Sequence, residues 1–297
     1  MTELIVRPEP FCAEAAAPIS AATGAVTGTI LVHVPTEGPP DALTTALGLA
    51  KASGAALVGV AAEGLAPYMR GATEPLSGQA LEIELNVRRQ RIKQAADGFD
   101  FATRDIAERS MCHCEEASPE DALVRYACAA DWVVAARPRN DQHPDQAPSP
   151  ADLIVRTGLP VLLAPTEHRP LLARRIVVGW RDTRETRRAL AAAMPLLKAA
   201  EEVLIVTIAS RRATEQARGS LAQVRRRLMH KGCTAKVDIQ AREGRRVSTR
   251  LRQIAKAEGA DLIVVGGFGH SRLQERVLGG ASTSLISDCE AYVLFVH

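Results

Sequence analysis

The chain has 297 residues, 46% of them hydrophobic, and carries 37 Lys and Arg against 34 Asp and Glu, a net charge of +3. That length favours two domains with buried cores, while so small a net charge gives no electrostatic case for nucleic acid as a partner. No apolar run approaches the roughly 18 residues of a membrane span, so we expect no membrane-spanning helix and no membrane partner.

The first 27 residues are rich in alanine and lack a basic leader followed by a sustained apolar block. We therefore expect a poorly ordered tail over residues 1–27 and not a secretory signal. The six cysteines are scattered along the chain. This pattern is typical of reduced thiols in a cytoplasmic protein.

Cys112 and Cys114 flank His113 and suggest a metal site at first sight. On a strand, alternate residues share a face, so both thiols would point the same way. A structural zinc site, however, needs four ligands and wider spacing. We therefore expect these cysteines to be small, buried apolar side chains.

Two stretches of the sequence, "SPEDALVRYACAADWVVAARPR" and "VSTRLRQIAKAEGADLIVVGGFG", resemble each other without gaps. Ser118 pairs with Ser248 and Asp131 with Asp261. The segments "TILVHV" and "RIVVGW" before them correspond, as do "TGLPVLLAP" and "CEAYVLFVH" after them. Because the order of these segments is the same in both halves, the sequence predicts an internal repeat.

Each half alternates short strands with helices, which predicts a doubly wound α/β fold with a parallel sheet. Apolar residues at helical spacing follow the first strand of the second half, and Pro195 within them predicts a bend or break. We expect one domain over 28–166, a linker over 167–173 and a second domain over 174–297. The strands predicted in the second half are Arg175–Trp180, Val203–Ile208, Thr234–Gln240, Asp261–Val265 and Ala291–Val296.

Glycines follow the fourth predicted strand of the second half with the spacing G-x2-G-x9-G-G, beginning at Gly266. Ligands of open parallel sheets bind beyond the carboxyl ends of the strands. Glycines there let backbone amides approach an anion closely. A short helix predicted after Gly280 adds an N-terminus and the hydroxyls of Ser282 and Thr283. This combination indicates a phosphate-binding site, the alternative being a tight connection without a ligand.

The repeat and the glycine spacing resemble the universal stress protein (UspA) family, over about residues 28–297. The nucleotide-binding branch of that family has G-x2-G-x9-G-[S/T] after its fourth strand, and Gly266, Gly269 and Gly279 fall on its three glycines. The resemblance implies two tandem Rossmann-like domains of the adenine nucleotide α-hydrolase type. It further implies a five-stranded parallel sheet of order 3-2-1-4-5 in each, bound ATP or another adenine nucleotide, and a role in stress tolerance.

The chain departs from the family pattern at three places. Gly280 stands where the family has a hydroxyl residue. Arg181 stands where an Asp contacts adenine, with Asp182 one residue later. The first half has no glycine in "ARPRNDQHPDQAPSP". We therefore expect one nucleotide site, in the second half, with the candidate residues Trp180, Asp182, Thr207, Gly266, Gly267, Gly269, His270, Arg272, Gly279, Gly280, Ala281, Ser282 and Thr283.

Other functions find less support. Arg272 is a candidate charged donor to phosphate, although it and His270 are also explained as a solvated pair. The second half is rich in arginine, but aromatic residues for base stacking are scarce. No nucleophile–base arrangement is evident, so at most a slow ATPase is expected.

A non-enzymatic interaction module without a ligand is the main alternative. A nucleotide-dependent enzyme of the α-hydrolase type needs a pyrophosphate loop after the first strand, where "GWRDTRET" is a poor candidate.

The last strand of each half is apolar and is expected at the edge of its sheet, where an uncovered strand invites aggregation. We predict that Val161–Ala164 and Val293–Val296 meet as an antiparallel pair between the two domains, as the family resemblance implies. Pro160 and Pro165 limit that ladder to a few bonds because neither donates. The alternative is that each edge pairs with a second chain to make a homodimer.

Overall fold

The computed structural model describes residues 26–38, 40–64, 78–137, 147–167, 169–210, 213–242, 246–267, 281–287 and 289–297. In the N-terminal half the helices and strands are β1 (Thr29–Val34), α1 (Asp41–Ser53), β2 (Ala56–Ala62), α2 (Gly78–Thr103), β3 (Ser110–Glu115), α3 (Pro119–Tyr126), β4 (Trp132–Ala135), α4 (Pro150–Arg156) and β5 (Val161–Leu163). In the C-terminal half they are β6 (Arg175–Gly179), α5 (Arg184–Ala192), α6 (Met194–Ala199), β7 (Glu202–Ala209), α7 (Thr214–His230), β8 (Lys236–Ala241), α8 (Val247–Ala257), β9 (Leu262–Gly266), α9 (Ala281–Ser287) and β10 (Tyr292–Val296).

The strands of the described residues form one ten-stranded sheet in the order β3-β2-β1-β4-β5-β10-β9-β6-β7-β8. Within each half all neighbouring strands are parallel. Each half therefore has the order 3-2-1-4-5, which confirms the predicted tandem α/β fold. Parallel strands need crossover helices, and these cover both faces of the sheet.

The two halves join through their last strands, β5 and β10, which pair antiparallel. Leu162 lies opposite Leu294, with Val161 opposite Phe295 and Leu163 opposite Val293. The predicted contact between the two apolar edges is thus confirmed over three residues of each strand. All of these side chains are at most 1% exposed, so neither edge remains open to water at this point.

Two apolar cores lie on opposite faces of the sheet, and each runs through both halves. Leu162 and Leu294 belong to one core, with α1 of the N-terminal half and α5 of the C-terminal half. Phe295 and Leu163 belong to the other, with α4 and α9. Alternate residues of β5 and β10 face opposite sides, as the pleat requires. The pairing of these two strands therefore makes both cores continuous between the halves.

The predicted strands of the C-terminal half lie within two residues of the observed ones at each end. The break predicted at Pro195 is also confirmed: α5 ends at Ala192 and α6 begins at Met194, with the proline in its first turn. A proline is tolerated there because the first amides of a helix have no intrahelical acceptor. Among the described helices, none has an apolar stretch long enough to pass through a bilayer.

The expectation for the Cys112 and Cys114 pair is right for one residue and wrong for the other. Cys112 is half-buried against the core, and burial raises the pKa of its thiol to about 12. Cys114 is exposed, because β3 is the outermost strand of its half and its face is incompletely covered. Within the described part of the chain, His, Cys, Asp and Glu side chains form no group of three or more suited to a metal ion.

The two aspartates that correspond in the sequence repeat make equivalent hydrogen bonds in the two halves. The Asp131 carboxylate accepts from the backbone N–H of Thr29 at 2.8 Å, where β1 begins. The Asp261 carboxylate accepts from the N–H groups of Arg174 and Arg175 at 3.0 and 3.2 Å, where β6 begins. Each aspartate precedes the fourth strand of its half and ties it to the start of the first strand.

We predict that Asp261→Ala lowers the free energy of unfolding by about 1–2 kcal/mol, because two backbone donors lose their acceptor. Urea denaturation measures the change. Asp182→Ala is the control, since Asp182 is exposed and its contact with Arg187 is a surface ion pair, for which we expect at most about 0.5 kcal/mol. Equal losses for the two variants would contradict the assigned role of Asp261.

Candidate functional site

The candidate site lies at the carboxyl edge of the C-terminal half, between β6 and β9. These strands are neighbours, with Gly179 opposite Val265 near their ends. From β6 the chain runs outward to β7 and β8 on one side, while β9 and β10 lie on the other. Strand order therefore reverses between β6 and β9, and crevices at such reversals are where open α/β sheets bind ligands.

Gly266, the last residue of β9, is required by close packing against α5. A Cβ atom at this position would lie 2.6 Å from the backbone nitrogen of Thr186 and 2.8 Å from the carbonyl carbon of Glu185. Both are backbone atoms in the first turn of α5, so neither moves without moving the helix. The first glycine of the predicted motif thus has a packing role, whether or not a ligand binds.

Gly267 contacts the end of β10 and helix α4 of the N-terminal half. Its N–H donates to the carbonyl of Val296 at 2.9 Å, and its carbonyl lies 3.1 Å from Nδ1 of His297. A Cβ atom here would lie 3.0 Å from a methyl group of Ile154, which belongs to α4 of the other half. The amide of Gly267 is therefore not available to a phosphate.

Most of the remaining glycine segment lies outside the described residues. This holds for Gly269, His270, Arg272, Gly279 and Gly280. Ala281, Ser282 and Thr283 form the first turn of α9, as the sequence predicts for a helix after the glycine pair. α9 packs against α8 and α4, and its Leu285 and Ile286 are buried.

Trp180 and Thr207 lie side by side at the same edge, at the ends of β6 and β7. The Thr207 hydroxyl donates to the carbonyl of Trp180 at 3.0 Å. The indole N–H of Trp180 donates to Ser220 of α7 at 2.7 Å, and the side chain is buried. Their polar atoms are thus already bonded within the protein, so these two residues are suited to forming a wall and not to offering free donors.

The segment between β6 and α5 has its own charges. Asp182 is exposed and lies 2.7 Å from Arg187, four residues into the helix. Thr183 caps α5 by accepting from the N–H of Thr186. Glu185 is buried; burial acts to raise its pKa, but hydrogen bonds from its own N–H, Thr183 and Arg184 outweigh this and the net pKa is lowered.

The ionised carboxylate of Glu185 affects whether an anion can bind at the N-terminus of α5. It neutralises the positive end of α5, the place where a pyrophosphate loop after the first strand would need donors. Sequence analysis missed Glu185, although its place two residues after the capping Thr183 was a signal that it would lie in the first turn.

At the same edge of the N-terminal half, charged side chains pair with one another. Glu63, 4% exposed, pairs with Arg91 of α2. Arg88, also on α2, lies 2.6 Å from Glu116. His33 takes the place of Gly179 in the repeat and is buried with its Nε2 3.2 Å from the carbonyl of Ala62, and burial lowers its pKa to about 4. Ion pairs and a neutral histidine thus occupy this edge of the first half.

Comparison with known proteins places these observations in a wider group. Residues 173–297 match the model of the universal stress protein family. A universal stress protein from Archaeoglobus fulgidus is 13% identical, with 90% of this chain and 95% of that one covered and a TM-score of 0.66. A structure described as a putative universal stress protein from Pseudomonas aeruginosa is 15% identical, covering 93% of this chain and 94% of that one, with a TM-score of 0.56. These likenesses show the fold over both halves. No match was found among curated proteins.

We predict that Gly266→Ala destabilises the protein by about 1–3 kcal/mol, because the added methyl group forces the first turn of α5 away from β9. Gly219→Ala is the matched control. Gly219 lies inside α7, and a Cβ atom there meets nothing within 4 Å, so this change should stabilise by about 0.5–1 kcal/mol. Thermal denaturation of both variants measures the difference, and a stable Gly266→Ala would show that the packing is looser than described.

Proposed function

Because residues 173–297 match the model of the universal stress protein family, we propose that this half binds an adenine nucleotide, ATP first among them, and that the chain serves a cytoplasmic stress response. The observation that carries the proposal is the position of the glycine segment. It leaves β9 beside the end of β6, where the order of strands reverses. Crevices of this kind accept nucleotides, and glycine-rich backbone there accepts phosphates.

In this proposal the phosphates contact backbone amides of the glycine segment after Gly267, together with the hydroxyls of Ser282 and Thr283. Arg272 supplies a charged donor. Trp180 and Thr207 form a wall of the crevice, and Asp182 is the acidic residue nearest the position where the family contacts adenine. The intramolecular pair between Asp182 and Arg187 is exposed and weak, so an incoming ligand displaces it at small cost.

We propose binding without efficient catalysis. Within the described residues of this edge, the hydroxyls of Thr183 and Thr207 are bonded to backbone or to a neighbouring threonine. The histidine described here, His297, lies against the carbonyl of Gly267 and not against a hydroxyl. General base catalysis needs a base within hydrogen-bond reach of its nucleophile. A slow ATPase is the most that this arrangement supports.

A non-enzymatic interaction module without a ligand is the second candidate. Three observations favour it: Gly266 and Gly267 are explained by packing, the Glu185 carboxylate beside Gly266 already pairs with Arg184, and Arg181 stands at the acidic position of the family. In that case the chain would act through its surfaces, and no nucleotide would stabilise it.

We predict that MgATP at 100 times its dissociation constant stabilises the full chain by about 2.7 kcal/mol, which thermal denaturation detects. Gly280→Ser restores a hydroxyl at the family position, so it should tighten binding by roughly two- to tenfold, the worth of one hydrogen bond. Gly219→Ser makes the same chemical change at an exposed position of α7 and should leave the affinity unchanged. No shift of the melting temperature at millimolar MgATP in either the parent chain or Gly280→Ser would refute nucleotide binding and favour the interaction module.

A further inference from the structure

Arg137, from the N-terminal half, binds the end of the last helix of the C-terminal half. It follows β4 and is 3% exposed. Its guanidinium donates to the carbonyl oxygens of Leu285 and Ile286, the latter at 2.8 Å, and to that of Ala291 at 2.9 Å. These three carbonyls belong to the end of α9 and to the residue directly before β10.

A buried arginine stabilises a helix most when it donates hydrogen bonds to the helix C-terminus. The last carbonyls of a helix have no intrahelical donor and carry the negative end of its dipole. α9 has seven residues, too few to be stable by itself. The buried guanidinium of Arg137 donates three hydrogen bonds through its two terminal nitrogens and so provides these carbonyls with donors. Losing it leaves buried acceptors unpaired.

The position of the C-terminal half that corresponds to Arg137 cannot make the same contact. In the sequence repeat, Arg137 and Gly267 occupy the same position, six residues after Asp131 and Asp261. Gly267 has no side chain, so it cannot reach the helix α4 that lies against it. α4 instead ends on Thr157, whose hydroxyl donates to the carbonyl of Leu153 at 2.7 Å. The N-terminal half thus closes its own helix and, through Arg137, that of its neighbour.

A second contact holds the next residues from the other face of the sheet. The hydroxyl of Tyr292, at the start of β10, lies 3.2 Å from that of Thr45 on α1 of the N-terminal half. It also donates to the carbonyl of Arg169 between the halves. The connection from α9 to β10 is therefore held by the N-terminal half at Arg137 and again at Thr45.

From these contacts we infer that the N-terminal half is a built-in positioning unit for the C-terminal site, and that Arg137 is the positioning residue. α9 starts directly after Gly280, so fixing its far end fixes where the proposed phosphate-binding turn begins. This consequence for the nucleotide rests on the proposed function, whereas the support of α9 does not. Where the second half has Gly267 and the glycine segment, the first half has Arg137 and its contact with α9.

Hydrogen exchange on the full chain without nucleotide tests the support of α9. In Arg137→Ala, peptides covering residues 281–291 should exchange roughly tenfold faster or more, because buried carbonyls lose their donor and the helix opens locally. Peptides of β7 should keep their protection. Arg137→Lys keeps the charge without the planar guanidinium and should give an intermediate rate, and it decides the question if Arg137→Ala does not fold. Arg89→Ala removes an exposed arginine paired with Glu116 and should change nothing at α9. Unchanged exchange of 281–291 in the Arg137 variants would overturn the inference.

The dissociation constant of MgATP, measured by calorimetry for the same proteins, tests the link to the site. Arg137→Ala should weaken binding by roughly tenfold, and Arg137→Lys by less. Asp131→Ala is the control for general stability, since it weakens the N-terminal half without contacting α9. Faster exchange with an unchanged dissociation constant would overturn the positioning of the site. If the parent chain binds no MgATP, the proposed function fails, and the exchange rates still decide whether Arg137 supports α9.

Discussion

The antiparallel pairing of β5 with β10, centred on Leu162 and Leu294, is the constraint on which the rest of the structure depends. Each of these strands is apolar on both faces and is the edge strand of its own five-stranded sheet. Alone, each would expose unpaired backbone groups that can pair with another chain. Pairing them removes both edges and makes both cores continuous between the halves. It also fixes the register that brings Arg137 to α9 and Thr45 to Tyr292.

The fold follows from the sequence because its signals are local and repeated. Buried strands such as "DLIVV", helical spacing around Pro195 and the Asp131–Asp261 correspondence each report on a few neighbouring residues, and their order occurs twice. The apolar last strands predicted their own pairing because an uncovered apolar edge has few stable alternatives. Cys114 was misjudged because alternation along a strand does not reveal whether a helix covers the face.

The site was less accessible to such reasoning. Arg137 contacts residues about 150 positions away, and only the joined sheet brings them together. Its sequence context is a loop without glycine. This indicated that the first half lacks the phosphate-binding motif, and it gave no sign of a contact with the other half. Gly266 and Gly267 were assigned to a ligand, but a close approach of α5 and of Ile154 needs glycine equally. A glycine pattern alone does not distinguish room for a ligand from room for a neighbouring backbone.

The two halves share one strand order but differ at the carboxyl edge of the sheet. In the first half, Glu63, Arg91 and His33 lie at this edge, and Arg137, the second residue after β4, contacts the other half. The second keeps the glycines and the reversal of strand order. The first half supplies the second with a partner for its edge strand, hydrogen bonds to the end of α9 and part of each core.

The mass in solution of residues 170–297, expressed alone and measured by light scattering over a range of concentrations, tests the central claim most directly. Without β5, the apolar edge of β10 has no partner, so this fragment should associate with itself, while the full chain should not associate through that edge. A fragment that stays a well-behaved monomer at every concentration would show that β10 needs no partner, and would contradict the dependence of the C-terminal half on the N-terminal one.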